Sequence, residues 1–503
     1  MKANKIVLDT KDQVVDRIIK EIFTLFQIST VAEGESADVD SLFVANAMIP
    51  GAEKRPAVRT TLLVRKLDGE ECRYFYRDSI KPDEKEAAGI HRIIKRNLYI
   101  IFLRNFSMQP APWGILHGVR PTKIVHRFID SGMSAEQTIA RMMDDYAVSR
   151  ERAERIVQIA FLQRPYLATS SERTVSIYVG IPFCLSRCLY CSFPSNELPP
   201  RKGIEDFLAA WEKDLQAVQE AVQHYRFEVQ NIYVGGGTPT SLPDDLFARM
   251  LQKVRDAFYS HFAEEFTVEA GRPDSMTEAK IACMKDCGVT RVSVNPQSMQ
   301  QRTLDRIGRK HTPEDIVRMF YALRKAGIRH INMDLIIGLP GEGEADIEDT
   351  MRQVAELNPD DITLHALALK RGSQLKMNLQ DYELPDDATA QRMFDIAMRH
   401  VKELGMRPYY LYRQGYMRGQ LENVGCCHQG AESMYNIQIM EEHQTVLGIG
   451  AAATSKIVNF REGRLKSAFH PKDLNTYMKH IDTYIAKRGQ LLCEADGETK
   501  EES

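Results

Sequence analysis

From Val175 onward, short β-branched runs alternate with longer stretches in which apolar residues recur every three or four positions. The runs Val175 to Ile181, Asn231 to Val234, Phe266 to Ala270, Arg291 to Asn295, Ile331 to Ile337 and Ile362 to Ala366 predict strands. Helical spacing predicts helices near Ile204 to His224, Leu242 to Tyr259, Thr277 to Asp286, Pro313 to Ala326, Ala345 to Leu357 and Asp387 to Leu404. Six βα units in succession require a parallel sheet, and right-handed crossovers curl such a sheet into an open or closed barrel.

The flanks are less regular. Residues 1 to about 80 mix apolar runs (Lys5 to Leu8, Thr60 to Leu67, Arg73 to Tyr76) with a helical pattern at Val14 to Phe26, and Asp83 to Gln163 reads as helical. The breaker Arg164-Pro165 marks a boundary. After the repeats come short strand-like pieces at Tyr409 to Tyr412 and Thr445 to Ile449, then a helix at Leu474 to Lys487. The expected organisation is an α/β and helical domain over 1–165, a barrel over 170–375, an α+β domain over 376–490 and a disordered acidic tail over 491–503.

Composition narrows the function classes. The 503 residues carry 66 Lys plus Arg against 69 Asp plus Glu, a net charge of −3, so no global basic field exists to hold nucleic acid. Strictly apolar runs such as Leu98 to Leu103 fall far short of the ~20 residues of a membrane span. The opening MKANKIVLDTKDQVV has no apolar core and no small-residue cleavage site, so a cytoplasmic protein is expected.

Three of the nine cysteines, Cys184, Cys188 and Cys191, crowd onto the loop that leaves the first repeat strand. Active sites are built at that end of parallel βα architectures. Spacing C-x3-C-x2-C lets three thiolates converge on a metal. Zinc is one reading, but a closed zinc site wants a fourth ligand, and the nearest downstream histidine is His224. A [4Fe–4S] cluster with one iron open to a non-protein ligand fits the count better.

C-x3-C-x2-C after the first strand of a six-unit βα barrel resembles the signature of radical S-adenosylmethionine (SAM) enzymes. The resemblance implies a partial (β/α)6 TIM-like barrel in which SAM chelates the open iron of the cluster. Gly235-Gly236-Gly237-Thr238-Pro239-Thr240 closes the second strand, where glycines let backbone approach a ligand, and it resembles the family element that holds the methionine amino group. By the same resemblance Gly236, Gly237, Thr238, Glu269, Gln297 and Arg309 contact SAM, Asp334 and the GLPGE turn surround its nucleoside, and Tyr178 and Tyr190 pack on it. Asp334 also stands out unaided, because an acid in the apolar run INMDLIIG is costly unless partnered.

Together YVGIPFC, GGGTPT, PQSM, DLIIGLPGE and LGIGAAATS resemble the oxygen-independent coproporphyrinogen III dehydrogenase (HemN-like) lineage over roughly residues 170 to 460. The long N-terminal extension, GILHGVRPTKI and YYLYRQGYMRGQLENVG look most like its HemZ branch. Two positions depart from the HemN type: Phe193 replaces a fourth cysteine and Gly180 a histidine. Phe193 matches instead the heme-chaperone (HemW-like) branch, yet Tyr435 stands where that branch carries its heme-ligating histidine.

The resemblance implies a radical oxidoreductase of porphyrin and heme biosynthesis, decarboxylating two propionates of coproporphyrinogen III to give protoporphyrinogen IX. It further implies a HemN-like substrate or lid region at the C-terminus and a low-potential electron donor such as flavodoxin or ferredoxin. Heme transfer, or radical chemistry on another tetrapyrrole, is the alternative. Lys370, Arg371, Arg413 and Arg418 are candidate partners of substrate carboxylates by their place near barrel and lid motifs. Cys283 and Cys287, one helical turn apart, read as packing positions, and Cys426-Cys427-His428 as core, with Cys427 or His428 a possible axial ligand in a heme carrier.

Overall fold

The computed structural model describes the chain except residues 1–4, 10–12, 27–28, 32–40, 51–55, 66–68, 107, 194–195, 371, 415–419 and 498–503. It divides into two compact units, Met1–Gln158 and Ile159–Ser503. The strands of the first are β1 (Lys5–Asp9), β2 (Ser29–Val31), β3 (Ser41–Pro50), β4 (Pro56–Arg65) and β5 (Glu71–Ser79), in sheet order β2-β1-β3-β4-β5. Its helices are α1 (Gln13–Leu25), α2 (Glu86–Asn105), α3 (Thr122–Asp130) and α4 (Ala135–Tyr146), and α5 (Arg150–Leu167) crosses the division. Ile18, Ile22 and Phe23 of α1 and Ile93, Leu98 and Phe102 of α2 bury against Val58, Leu62 and Val64 of β4. Strand β3 escapes the sequence pattern because Ala45, Asn46 and Ala47 at its centre carry little β-propensity. The breaker Arg164-Pro165 lies inside α5, in its last turn, where the proline removes one i→i−4 donor just before the helix ends.

In the second unit the strands are β6 (Thr174–Ile181), β7 (Phe183–Cys184), β8 (Asn196–Glu197), β9 (Glu228–Gly236), β10 (Glu265–Glu269), β11 (Arg291–Gln297), β12 (His330–Ile337), β13 (Asp361–Ala366), β14 (Arg407–Tyr412), β15 (Asn423–Cys427), β16 (Thr445–Ile449), β17 (Thr454–Asn459) and β18 (Arg464–Phe469). Its helices are α6 (Arg201–His224), α7 (Asp244–Phe258), α8 (Glu278–Asp286), α9 (Gln301–Arg306), α10 (Pro313–Ala326), α11 (Glu344–Leu357), α12 (Gln374–Met377), α13 (Asp387–Glu403), α14 (Met434–Glu441) and α15 (Leu474–Asp496). Local chemistry sets their ends. Thr312 and Asp315 form a reciprocal capping box at the start of α10, Pro313 occupies its first turn, and Gly327 ends it in the left-handed region.

Strands β6 and β9 to β13 form the parallel sheet that the six repeats predict, in spatial order β13-β12-β11-β10-β9-β6. The C-terminal strands extend that sheet at both ends. β15 and then β14 pair antiparallel beyond β13, while β16 lies parallel to β6 and leads to β17 and β18.

Along the parallel strands, side chains alternate between two environments. Val175, Ile177 and Val179, or Ile331, Met333 and Leu335, pack into the main apolar core. The intervening residues, such as Thr267 and Glu269, Ser293 and Asn295, Asn332 and Asp334, Thr363 and His365, line an interior cavity. These inward columns are polar, so the strands read as mixed runs rather than as the continuous apolar runs of a fully buried parallel sheet.

One expectation needs correction. The stretch from residue 491 was expected to be a disordered tail, but α15 continues to Asp496. Its polar composition conceals an apolar stripe: Leu492 is buried, and Leu491 and Ala495 pack against the core. Arg488 reinforces the docking by donating to the Gly448 carbonyl at 2.8 Å. Among the described residues, no helix is long and apolar enough to cross a membrane.

Candidate active site

The cavity in the second unit has a volume of about 620 Å³. Cys184, Cys188, Cys191, Tyr178, Tyr190, Gly236, Gly237, Thr238, Glu269, Gln297, Arg309, Asp334 and Lys370 all line it. Arg413 does not line it, and Arg371 and Arg418 lie outside the described residues.

The cysteine loop is fixed by backbone on both sides. Leu189 N donates to the Ile307 carbonyl at 3.0 Å, Leu375 N to the Leu189 carbonyl at 3.0 Å, and Leu198 N to the Cys184 carbonyl at 3.0 Å. Arg272, paired with Asp274, donates to the Ser186 carbonyl at 2.8 Å. Cys184 Sγ lies 3.4 Å from Thr238 Oγ1. Burial pushes the Cys184 thiol up, and the Cys188 and Cys191 thiols nearby add to that push against the Thr238 hydrogen bond. Three thiols gathered on one loop at the cavity wall are a donor set suited to a cationic centre. Among the described residues, no three His, Cys, Asp or Glu side chains already close around a metal-sized point.

The glycine loop makes the second part of the site. A Cβ on Gly235 would stand 2.7 Å from Glu269 Cδ, and one on Gly237 would stand 2.5 Å from the Phe183 carbonyl oxygen. Gly236 has φ +112°, a conformation that side chains strain. The space so freed lets Gly236 N donate to Glu269 Oε2 at 3.2 Å while the Tyr233 hydroxyl donates to Oε1 at 2.6 Å. Burial still dominates, and the Glu269 carboxyl is pushed up to about 7.

Beyond Glu269, Arg309 donates to the carbonyls of Gly271 at 2.9 Å and Asn295 at 3.0 Å, tying the loop after β10 to strand β11. Tyr190 interacts electrostatically with Arg309 and Cys188, and burial pushes its phenol up. Gln297 adopts φ +66°, next to an irregularity in the pairing of β11 with β12. Gln297 Oε1, Asn295 Oδ1 and Arg309 Nε are buried without a hydrogen-bond partner in the protein. Such orphaned polar atoms beside three thiols and a side-chain-free loop fit a polar ligand on a thiolate-held cluster.

Asp334 is partnered, as its cost in an apolar strand demands. Asn332 Nδ2 donates to its Oδ1 at 2.8 Å, and His365 Nε2 lies 3.7 Å from its Oδ2. Burial raises the carboxyl, but the neighbouring His365, the Asn332 amide and Thr363 outweigh it and hold Asp334 below the ordinary aspartate value.

Several lining residues escaped the motif reading, among them Tyr233, Arg272, Arg291, Asn332, His365 and Tyr412. The signal that singled out Asp334, polarity at an inward position of a parallel strand, marks Asn332, His365 and Tyr233 equally. Tyr178, Tyr233 and Tyr435 form a file of stacked rings, with centroids 6.2 and 4.4 Å apart and planes at 20°.

The remaining thiols stay outside the cavity lining. Cys283 and Cys287 pack on or beside the main core, and Cys426 and Cys427 are fully buried in strand β15. His428 points instead to Asn358 Oδ1 at 3.2 Å, so the Cys-Cys-His run does not assemble.

Residues 178–354 match the Radical SAM superfamily. Over 417 residues the chain is 38% identical to the oxygen-independent coproporphyrinogen-III oxidase-like protein HemZ of Bacillus subtilis (strain 168), covering 81% of this chain and 82% of that protein. It is 26% identical over 302 residues to the heme chaperone HemW of the same organism, covering 59% of this chain and 75% of that one. Among solved structures, the coproporphyrinogen III oxidase HemN of Escherichia coli, described as a radical SAM enzyme, superimposes with a TM-score of 0.51 at 22% identity, covering 64% of this chain and 72% of that one, a likeness of fold. With most of both sequences aligned to HemZ, the chain belongs to the HemZ family of oxygen-independent coproporphyrinogen-III oxidase-like proteins, within the radical SAM superfamily.

Proposed function

We propose that this protein is a radical SAM oxidoreductase that decarboxylates two propionates of coproporphyrinogen III without oxygen, giving protoporphyrinogen IX. In each turn one propionate loses its carboxylate as carbon dioxide together with a hydrogen atom and an electron, leaving a vinyl group. The observation that carries the reading is the convergence, on one cavity, of three thiols with Gly236, Glu269, Gln297 and Arg309, several of whose polar atoms lack protein partners.

In this reading Cys184, Cys188 and Cys191 hold a [4Fe–4S] cluster. Bound there, the cluster and SAM supply one-electron cleavage of the sulfonium and hence a carbon radical able to take the substrate hydrogen. The chain's own residues hold the ligand. Gly236 and Gly237 permit close backbone approach, and Glu269, fixed by Tyr233 and Gly236, accepts from the amino group. Gln297 and Arg309 meet its polar atoms, and Tyr178 and Tyr190 supply apolar faces. Reduction requires a low-potential donor of the flavodoxin or ferredoxin class, and a separate acceptor takes the substrate electron.

The test is product analysis with anaerobically reconstituted protein, a reductant, SAM and coproporphyrinogen III. We expect 5′-deoxyadenosine formation that depends on the tetrapyrrole, release of carbon dioxide and a monovinyl intermediate, since the propionates react one at a time. Stoichiometric heme binding with no decarboxylation across several reductants would replace the enzyme with a carrier.

A further inference from the structure

Most cations that line the cavity are committed within the protein. Arg272 donates to both oxygens of Asp274 at 3.1 and 2.8 Å, and Arg291 pairs with Asp361 and donates to the Ala431 carbonyl at 2.7 Å. Arg309 is tied to two carbonyls, and Lys456 pairs with Glu442 at 2.9 Å. Two basic side chains of the lining differ, His365 and Lys370, and both lie at or just beyond the end of β13. Lys370 has no carboxylate partner among the described residues, and its Nζ stands 5.9 Å from the centroid of the Phe193 ring.

His365 is aimed but not saturated. Its Nε2 is 3.7 Å from Asp334 Oδ2 and its Nδ1 is 3.4 Å from the Tyr412 hydroxyl, both longer than a well-formed hydrogen bond. Asp334 is itself fixed by Asn332, so a carboxylate on β12 and a phenol on β14 orient an imidazole on β13. An imidazole whose ring nitrogens make only long contacts keeps N–H donor capacity, and an N–H aimed into a cavity is a receptor for an anion.

We infer that the exit of β13 anchors a carboxylate of the substrate, with His365 as the contacting N–H donor, Asp334 and Tyr412 as the residues that position its ring, and Lys370 as the cation beside it. The inference rests on the tetrapyrrole reading for the identity of the substrate, and it names the group of that substrate that is recognised. An anchored propionate stays ionised, the form from which carbon dioxide departs.

The test titrates reconstituted full-length protein with coproporphyrin III and with its tetramethyl ester, which keeps the macrocycle and removes the negative charges. Wild type should prefer the free acid. His365→Gln should weaken acid binding about tenfold, the scale of one charge-assisted hydrogen bond, and leave ester binding unchanged. Lys370→Gln should shift the same preference by itself, and in turnover both variants should raise KM more than they lower kcat. Equal weakening of acid and ester, or unchanged acid binding in both variants, would overturn the inference while leaving the proposed function standing. Failure of wild type to bind either compound would overturn both.

Discussion

On the wall built by the loops after β6, β9, β10 and β11, polar groups are fastened to backbone: Arg309 to two carbonyls, Glu269 to an amide, Arg272 to the cysteine loop. On the wall built by β12, β13 and β14, they touch one another through longer side-chain contacts, as in His365 with Asp334 and Tyr412, or Thr363 with the Tyr410 hydroxyl at 3.2 Å. Backbone anchors do not move when a neighbouring side chain changes, whereas side-chain contacts shift with every substitution. The first wall, together with Asp334 at the edge of the second, therefore suits the proposed SAM, and the rest of the second wall suits the proposed tetrapyrrole.

The strongest way to break this contrast is to delete the first wall. Alanine at Cys188 should abolish cluster iron, visible absorption and turnover, while the preference for coproporphyrin over its ester persists. If that preference disappears as well, the two walls are one site and the contrast fails. Full iron occupancy in the same variant would remove Cys188 from the ligand set.

A smaller effect is expected at Glu269, whose carboxyl is held up to about 7 by burial. An unfolded glutamate titrates near 4.5, so folding takes up a proton between these values. The stability contributed by this group is therefore full below 4.5, falls as pH rises toward 7 and stays low above it. Glu269→Gln should melt above wild type at pH 8, with the gap closing toward pH 5. Its SAM affinity should drop by about 1–3 kcal/mol as a buried hydrogen bond is lost, with the cluster intact. Wild-type affinity should also gain, relative to the variant, as pH rises through 7, because an ionised carboxylate is the better acceptor for an amino group. A melting difference independent of pH would refute the titration.

The smallest change sharpens the contrast at Tyr435, which stacks on Tyr233 and, by the family resemblance, stands in place of a chaperone histidine. Tyr435→Phe keeps the ring stack, and its stability should stay within about 0.5 kcal/mol of wild type. Iron content and the acid-over-ester preference should both be retained. A loss of heme-binding capacity in this variant would show that the phenol, not a histidine, serves a carrier function.

The two walls also differ in how far they could be read from sequence. Cys184, Cys188, Cys191 and the Gly235-Gly236-Gly237 run are legible because spacing and missing side chains are properties of the chain itself. His365 and Tyr412 are not, since they lie 47 residues apart and meet only because β13, β15 and β14 are neighbours in the sheet. Asp334 was legible from its cost in an apolar strand, and the same argument applied to ITLHALALK would have found His365. The six repeats were legible as alternating periods, whereas the partner strand of β16 was not. Nothing local in Thr445 to Ile449 says that it will pair with Val175 to Val179.

That pairing sets a timetable for synthesis. Strand β6 leads directly into the cysteine loop, and its outer edge is covered only by β16, from Thr445↔Val175 to Ile449↔Val179. A chain emerging from the ribosome N-terminus first exposes the edge of β6 until more than 260 further residues have been made. An uncovered strand edge invites pairing with other chains. Growing or truncated chains that end before Thr445 should therefore be the species most prone to aggregate, and the thiols of Cys184, Cys188 and Cys191 remain on an unsealed sheet for most of translation.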